Sequence, residues 1–277
     1  MIPRVELGDD VRIPQLGFGV FQVAPEGAQS AVEAALAAGY RHIDTAAAYI
    51  NESGVGAGVR ASGLPRDEVF VTTKLRNGDQ GYDEALHAYD ASLERLGLDY
   101  VDLYLIHWPA PTLGRYVESW KALERIRDEG RVRAIGVSNF LPEHLDALAA
   151  AGSRVPSVNQ VELHPTYQQP DVVADSRARG IAIEAYSPLG QGADLNDERV
   201  TSIAAAHDRT PAQVVLRWHL QSGHIVIPKT TSSARMAENA AVFDFELSDD
   251  ELASITSMNT SERLGNDPLT WDFHQIR

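Results

Sequence analysis

Short apolar runs along this chain alternate with longer stretches in which apolar residues recur every three or four positions. The short runs read as strands, and there are eight: Gln15 to Val20, Arg41 to Asp44, Val69 to Thr73, Val101 to His107, Ala134 to Ser138, Ser157 to Val161, Ile181 to Tyr186 and His224 to Ile227. Between them lie helical stretches such as Ala28 to Ala38, Tyr82 to Leu96 and Tyr116 to Glu129, and Thr210-Pro211 opens another with an N-cap and a first-turn proline. Strands alternating with helices predict βα units and a parallel sheet, and right-handed crossovers make a (β/α)8 TIM barrel the economical closure of eight units. Ahead of the alternation, Val5-Glu6-Leu7 and Val11-Arg12-Ile13 flank Gly8-Asp9-Asp10, which predicts a short N-terminal β-hairpin. The runner-up is a doubly wound open sheet, which would carry Gly-x-Gly-x-x-Gly after an early strand. The only similar run, Gly54-Val55-Gly56-Ala57-Gly58, falls inside the helix expected after Asn51.

Composition narrows the class without changing the fold. The 277 residues, 44% hydrophobic and 23% charged, contain no linker, low-complexity segment or single-sign charge block, so residues 1–277 read as one barrel domain. No apolar run reaches the roughly 18 residues of a membrane span, and the first residues do not resemble a signal peptide. The absence of cysteine excludes disulfides and thiolate chemistry and fits a cytoplasmic protein. A formal net charge of −15 repels nucleic acid and anionic membranes, so any anionic ligand needs a local basic pocket.

Candidate chemistry gathers at the ends of three consecutive strands: Asp44 and Tyr49 after the second, Lys74 after VFVTT and His107 after VDLYLI. Singly, each has an ordinary reading as a cap, a packed ring or a solvated charge. In a parallel barrel the strand ends share one mouth, where active sites form. There a cation near the phenol favours its ionised form, the carboxylate holds the cation, and the imidazole donates to a substrate oxygen, an arrangement that protonates a developing alkoxide. No histidine pair has the spacing of a zinc site, so no metal is expected.

With these residues in place the chain resembles the aldo-keto reductase superfamily over nearly its whole length. GYRHIDTA-x5-E-x2-VG is similar to the family's first signature, VTTK and LIHWP match its lysine and histidine sites, and IPKT with Arg235, Glu238 and Asn239 resembles its signature for the adenosine end of NADPH. QLGFGVFQV, HPTYQQ, SPLGQG and TPAQVVLRWHLQ look most like the prokaryotic branch that includes 2,5-diketo-gluconate reductases. The resemblance implies Tyr49 as general acid, His107 as carbonyl orienter, Lys74 as the cation tuning Tyr49 and Asp44 as its partner. It implies NADPH (or NADP+) as cofactor, with Ser138, Asn139 and Gln160 on the nicotinamide carboxamide, Tyr186 stacked on its ring and Ser187, Pro188 and Leu189 along the pyrophosphate. Lys229, Thr230 and Arg235 would take the 2′-phosphate, and Glu238 and Asn239 would lie with them at the adenosine end. Phe21, Ile50 and Trp108, with Trp271, would form an apolar substrate rim, while Val20-Phe21 and Arg76 depart from the family pattern. The implied protein is a monomeric, cytoplasmic reductase of small aldehydes, α-dicarbonyls or keto-sugars that binds neither nucleic acid nor membrane. Two other functions remain open: a Schiff-base barrel lyase using Lys74, and a non-catalytic NADPH-binding redox sensor.

Overall fold

The computed structural model describes residues 2–8 and 10–271, so Asp9 of the expected hairpin turn lies outside the described residues. Strands β1 (Arg4–Glu6) and β2 (Arg12–Pro14) form the antiparallel hairpin. Eight parallel strands follow: β3 (Phe18–Gly19), β4 (His42–Asp44), β5 (Phe70–Leu75), β6 (Val101–Ile106), β7 (Val132–Ser138), β8 (Val158–Glu162), β9 (Ala182–Tyr186) and β10 (Ile225–Val226), each paired with its neighbour in chain order. Leu16 bridges in parallel to Val226, and Gly17 N donates to Val226 O at 2.8 Å, so the first strand meets the last and the ring closes as a (β/α)8 barrel. The expected strands are all present. Their ends shift by up to three residues, most at the start of the first, and the first and last ladders shrink to two residues each.

Helices α1 (Pro25–Ala37), α2 (Glu52–Ala61), α3 (Tyr82–Leu96), α4 (Tyr116–Asp128), α5 (Pro142–Ala150), α6 (Pro170–Ala178), α7 (Glu198–His207), α8 (Pro211–Gln221), α9 (Ser233–Ala240) and α10 (Asp249–Thr256) surround the strands. Helix α1 buries Ala28, Ala31, Val32, Ala35 and Leu36, the three- and four-residue stripe its sequence carries. The glycines of Gly54 to Gly58 belong to helix packing rather than to a phosphate loop. A Cβ at Gly56 would sit 1.7 Å from Leu96 O, and one at Gly58 would sit 2.8 Å from Gln29 O, so α2 lies against α1 and α3 only because both are glycine.

Every residue of β6 is buried, and its alternation is visible only in three dimensions. Leu103 and Leu105 point into the barrel, where they pack with Phe70, Val158 and Ile225 and with Leu7, Val11 and Ile13 of the hairpin region, while Tyr104 and Ile106 pack under the helices. The hairpin thus closes the N-terminal end of the barrel. Polar side chains fill the other end.

Candidate active site

The same two-residue alternation aims His42 and Asp44 of β4, Thr72 and Lys74 of β5, Gln160 and Glu162 of β8, and Glu184 and Tyr186 of β9 to one side of their strands. Lys74 is fully buried, and its Nζ donates to Asp44 Oδ1 at 2.6 Å, to Thr45 O at 2.9 Å and to Tyr49 OH at 3.4 Å. His107 follows β6 directly, and its ring centroid lies 5.6 Å from that of Tyr49. The structure therefore brings the four strand-end groups into one cluster.

Tyr49 ends a 3₁₀ turn, Ala47–Tyr49, that the first signature motif holds in place. Asn51 Nδ2 donates to Val20 O and Val23 O, and its Oδ1 accepts from Thr45 Oγ1. Glu52, the acid of the motif, accepts from Thr73 Oγ1 at 2.6 Å and from Arg95 Nε at 2.6 Å. These buried bonds fix both sides of the turn, so the motif's polar residues serve to place the phenol.

Lys74 pulls the phenol toward its ionised form as expected, but burial outweighs it. Burial raises the Tyr49 pKa above its ordinary value; Lys74 pulls it down, while Asp44 and Glu184 push it up, and the net direction is up. With its pKa raised from an ordinary value already far above neutrality, Tyr49 keeps its proton near neutral pH. Burial disfavours the Lys74 charge, yet Asp44 and then Tyr49 outweigh this and its pKa is raised. Burial, with Lys74 next, holds His107 well below the ordinary histidine range, so the ring is neutral.

Around these groups lies a cavity of about 820 Å³ lined by Phe21, Tyr49, His107, Trp108 and Trp271 at one end and by Tyr186 to Leu189, Lys229 and Arg235 toward the other. A second chamber of about 420 Å³ shares Leu189, Gly192, Leu195, Lys229 and Arg235 with the first and adds Thr230, Glu238 and Asn239. All the residues expected to bind cofactor therefore line one of two connected chambers. Among the described residues, Lys229 and Arg235 are the only cations in either lining, and neither has an ion-pair partner. Glu238 instead accepts from Thr210 Oγ1 at 2.8 Å, tying α9 to the cap of α8.

The other expected positions are set as follows around the cavity. Asn139, in a left-handed conformation with φ 64°, donates to His107 O and to Ser138 Oγ and accepts from Tyr186 OH at 2.9 Å, which leaves its amide little further capacity. It braces three site residues against one another. Phe21 is 56% exposed at the mouth, with its ring centroid 5.1 Å from that of Tyr49. Ile50, expected at the rim, is 71% exposed in a left-handed conformation and lies outside the cavity lining. Arg76 also lies outside it; Asp79 binds its guanidinium through two hydrogen bonds of 2.9 and 3.1 Å and keeps it from the substrate end.

Sequence reasoning missed Glu184. Its Oε2 accepts from Gln160 Nε2 at 2.8 Å, and the same Nε2 donates to Asp44 Oδ2 at 2.8 Å, so two carboxyls hold the amide nitrogen and leave its oxygen as a free acceptor. The signal was available: Glu184 stands two residues before Tyr186, and strand alternation puts both side chains on one face. Burial and then Asp44 push the Glu184 carboxyl up to about 8, against Gln160 and Lys74. Because this acid prefers its proton when folded, its stabilising contribution is complete below the ordinary 4.5 and is lost as pH rises through about 8. Glu184→Gln should therefore flatten the fall of stability over that window and raise Tm at pH 8 by roughly 5 °C. Melting curves across pH test this, and an unchanged slope would remove the buried acid from the account.

Comparison with known proteins decides the family. A family model described as Aldo/keto reductase family matches residues 15–260. The chain belongs to that family. Family membership makes the protein an oxidoreductase. The reductase is 54% identical over 273 residues to an aldo-keto reductase of Mycolicibacterium smegmatis, covering 99% of both chains, and 50% identical over 283 residues to the morphine 6-dehydrogenase of Pseudomonas putida, covering 98% of this chain and 96% of that one. A variant of Gox0644 solved in complex with NADPH superposes with a TM-score of 0.94 at 46% identity, covering 98% of this chain and 99% of its own. No helix among the described residues is long and apolar enough to cross a membrane.

Proposed function

We propose that the reductase uses NADPH to convert neutral aldehydes and ketones to alcohols, with Tyr49 as proton donor. The observation that carries this reading is the buried Asp44–Lys74–Tyr49 chain beside neutral His107, at the floor of a cavity with an apolar aromatic mouth. Bound NADPH would supply the hydride to the carbonyl carbon. Tyr49 and His107 would hydrogen-bond the carbonyl oxygen, Tyr49 passing its proton as negative charge develops there. Gln160 offers its amide oxygen to a carboxamide N–H, and Ser138, whose hydroxyl proton goes to Gln160 O at 2.8 Å, offers an acceptor beside it. Lys229 and Arg235, without an ion-pair partner among the described residues of a chain of charge −15, suit a phosphate group of NADPH.

Among the substrate classes left open by the resemblance, neutral carbonyls fit best. At the Tyr49 end the described lining holds Phe21, Ala48, Trp108, Asn266 and Trp271 and no cation, since Arg76 is held by Asp79. A carboxylate-bearing keto-sugar would bury its charge unpaired there. Initial rates of NADPH oxidation should therefore be higher, per KM, for neutral aromatic and aliphatic carbonyls than for keto-acids of equal size. The reverse preference would count against this pocket assignment.

A Schiff-base mechanism needs an uncharged amine, and Lys74 is held charged by Asp44. Borohydride with substrate should leave Lys74 unmodified. A redox sensor would bind NADPH without turnover, and the same rate assay separates it from the reductase.

A further inference from the structure

Two segments far apart in sequence wall the long cavity: the 3₁₀ turn Gly190–Asn196, contributing Gln191, Gly192 and Leu195, and the later chain that contributes Gly265 and Asn266. Each connects through a carboxylate to one imidazole that has no part in the reaction above. His164 follows β8 and is completely buried. Its Nδ1 lies 3.1 Å from Asp194 Oδ2, and its Nε2 lies 3.2 Å from Glu162 Oε1. Asp194 belongs to the 3₁₀ turn, and its other oxygen accepts from Thr166 Oγ1 at 2.8 Å. Glu162 accepts the backbone N–H groups of Leu264 at 2.7 Å and Gly265 at 2.8 Å. Both junctions leave no room for a side chain: a Cβ on Gly190 would lie 2.5 Å from Asp194 Oδ2, and one on Gly265 would lie 2.6 Å from Glu162 Oε2. A ring with a carboxylate at each nitrogen donates to both only when doubly protonated.

We infer that Glu162, His164 and Asp194 are positioning residues: a buried imidazolium that fastens the 190–196 loop to the chain at Leu264-Gly265 and so sets the shape of the cavity at both its cofactor and its substrate ends. The cofactor part of this statement rests on the NADPH reading. The latch itself does not.

Charge supports the geometry. Burial disfavours protonation of His164, but Asp194 and Glu162 overcome it and lift the ring to about 9. Burial would raise both acids, yet the imidazolium, with the Leu264 and Gly265 amides on Glu162 and Thr166 on Asp194, keeps both below their ordinary values. The other titratable and charged groups around the ring are His219 of α8, held neutral by burial and by His224, the Tyr167 ring 6.0 Å away, Arg263 stacked on Tyr167 at 5.1 Å, and Tyr186 beside Gly265. With its pKa raised by folding, His164 holds the latch fully below the ordinary 6.5 and releases it as pH rises through about 9.

Amide hydrogen exchange and NADPH titration together test the latch. In the wild type, protection factors at Leu264, Gly265 and the 190–196 loop, corrected for base-catalysed exchange, should fall between roughly pH 7 and pH 10 while β5 and β6 stay protected. His164→Gln at pH 7 should lose the same protection and bind NADPH about tenfold more weakly. Asp194→Asn, which keeps the shape and deletes one anionic partner, should move the loss of wild-type-like protection to lower pH. Wild-type protection that is flat across this range, or a folded His164→Gln with unchanged protection and affinity, overturns the inference. If the wild type failed to bind NADPH the cofactor reading would fall, and the exchange data would still decide the latch.

Discussion

Tyr49→Phe should lower reductase turnover by roughly 10²- to 10⁴-fold while NADPH affinity stays close to wild type, because general acid catalysis contributes about that much and the cofactor contacts lie elsewhere. The substitution is well isolated by its surroundings. The ring keeps its neighbours, Phe21 at 5.1 Å, His107 at 5.6 Å and the Lys74 ammonium at 5.0 Å, and Lys74 keeps its bonds to Asp44 and Thr45. Only a 3.4 Å contact and the transferable proton are lost. Lys74 or Asp44 variants are less informative, since removing one member of a buried ion pair costs about 3–5 kcal/mol and mixes folding with catalysis. Steady-state rates and a fluorescence titration of NADPH, made on the same preparation, check the expectation. Wild-type turnover by Tyr49→Phe would end its assignment as proton donor.

Arg235→Ala should weaken NADPH binding by about one to two decades and NADH binding far less. The two cofactors differ by one 2′-phosphate, a dianion near neutral pH. A chain of net charge −15 repels it unless donors face it locally. Among the described residues, Lys229 and Arg235 are the only cations lining the two chambers, and neither is tied to a carboxylate. Charge-assisted hydrogen bonds contribute roughly 1.5–3 kcal/mol each, so losing the guanidinium should show mainly in the phosphorylated cofactor. Added salt should narrow the gap between NADPH and NADH in the wild type by screening the phosphate. Titrating both cofactors against wild type and Arg235→Ala decides the matter, and equal losses would move the 2′-phosphate elsewhere.

The strand-end cluster was legible in the sequence because each member is local to its own strand. Asp44, Lys74 and His107 end apolar runs, and in a parallel barrel every such end faces the same mouth. The helices were legible for the same kind of reason: the Ala28 to Leu36 stripe and the Thr210-Pro211 cap depend on spacing within about ten residues. Where only one residue type was considered per strand, the reading stopped short. Glu184 and Glu162 share faces with residues already singled out, and period-two alternation applied to β8 and β9 points to both.

What the sequence by itself determined is therefore the order of elements, the closed barrel, the family and the four strand-end groups Asp44, Tyr49, Lys74 and His107, since these follow from local periodicity and short motifs. Only the tertiary structure decided how those groups act on one another. The net rise of the Tyr49 pKa comes from burial against the opposed charges of Lys74 and Asp44, whose side chains meet across a span of 30 residues. The amide of Gln160 is oriented by Asp44, 116 residues away. The latch joins Glu162 to backbone N–H groups 102 and 103 residues later. Desolvation and charge coupling depend on distance in space, and sequence spacing carries no measure of that distance once the chain has closed into a barrel.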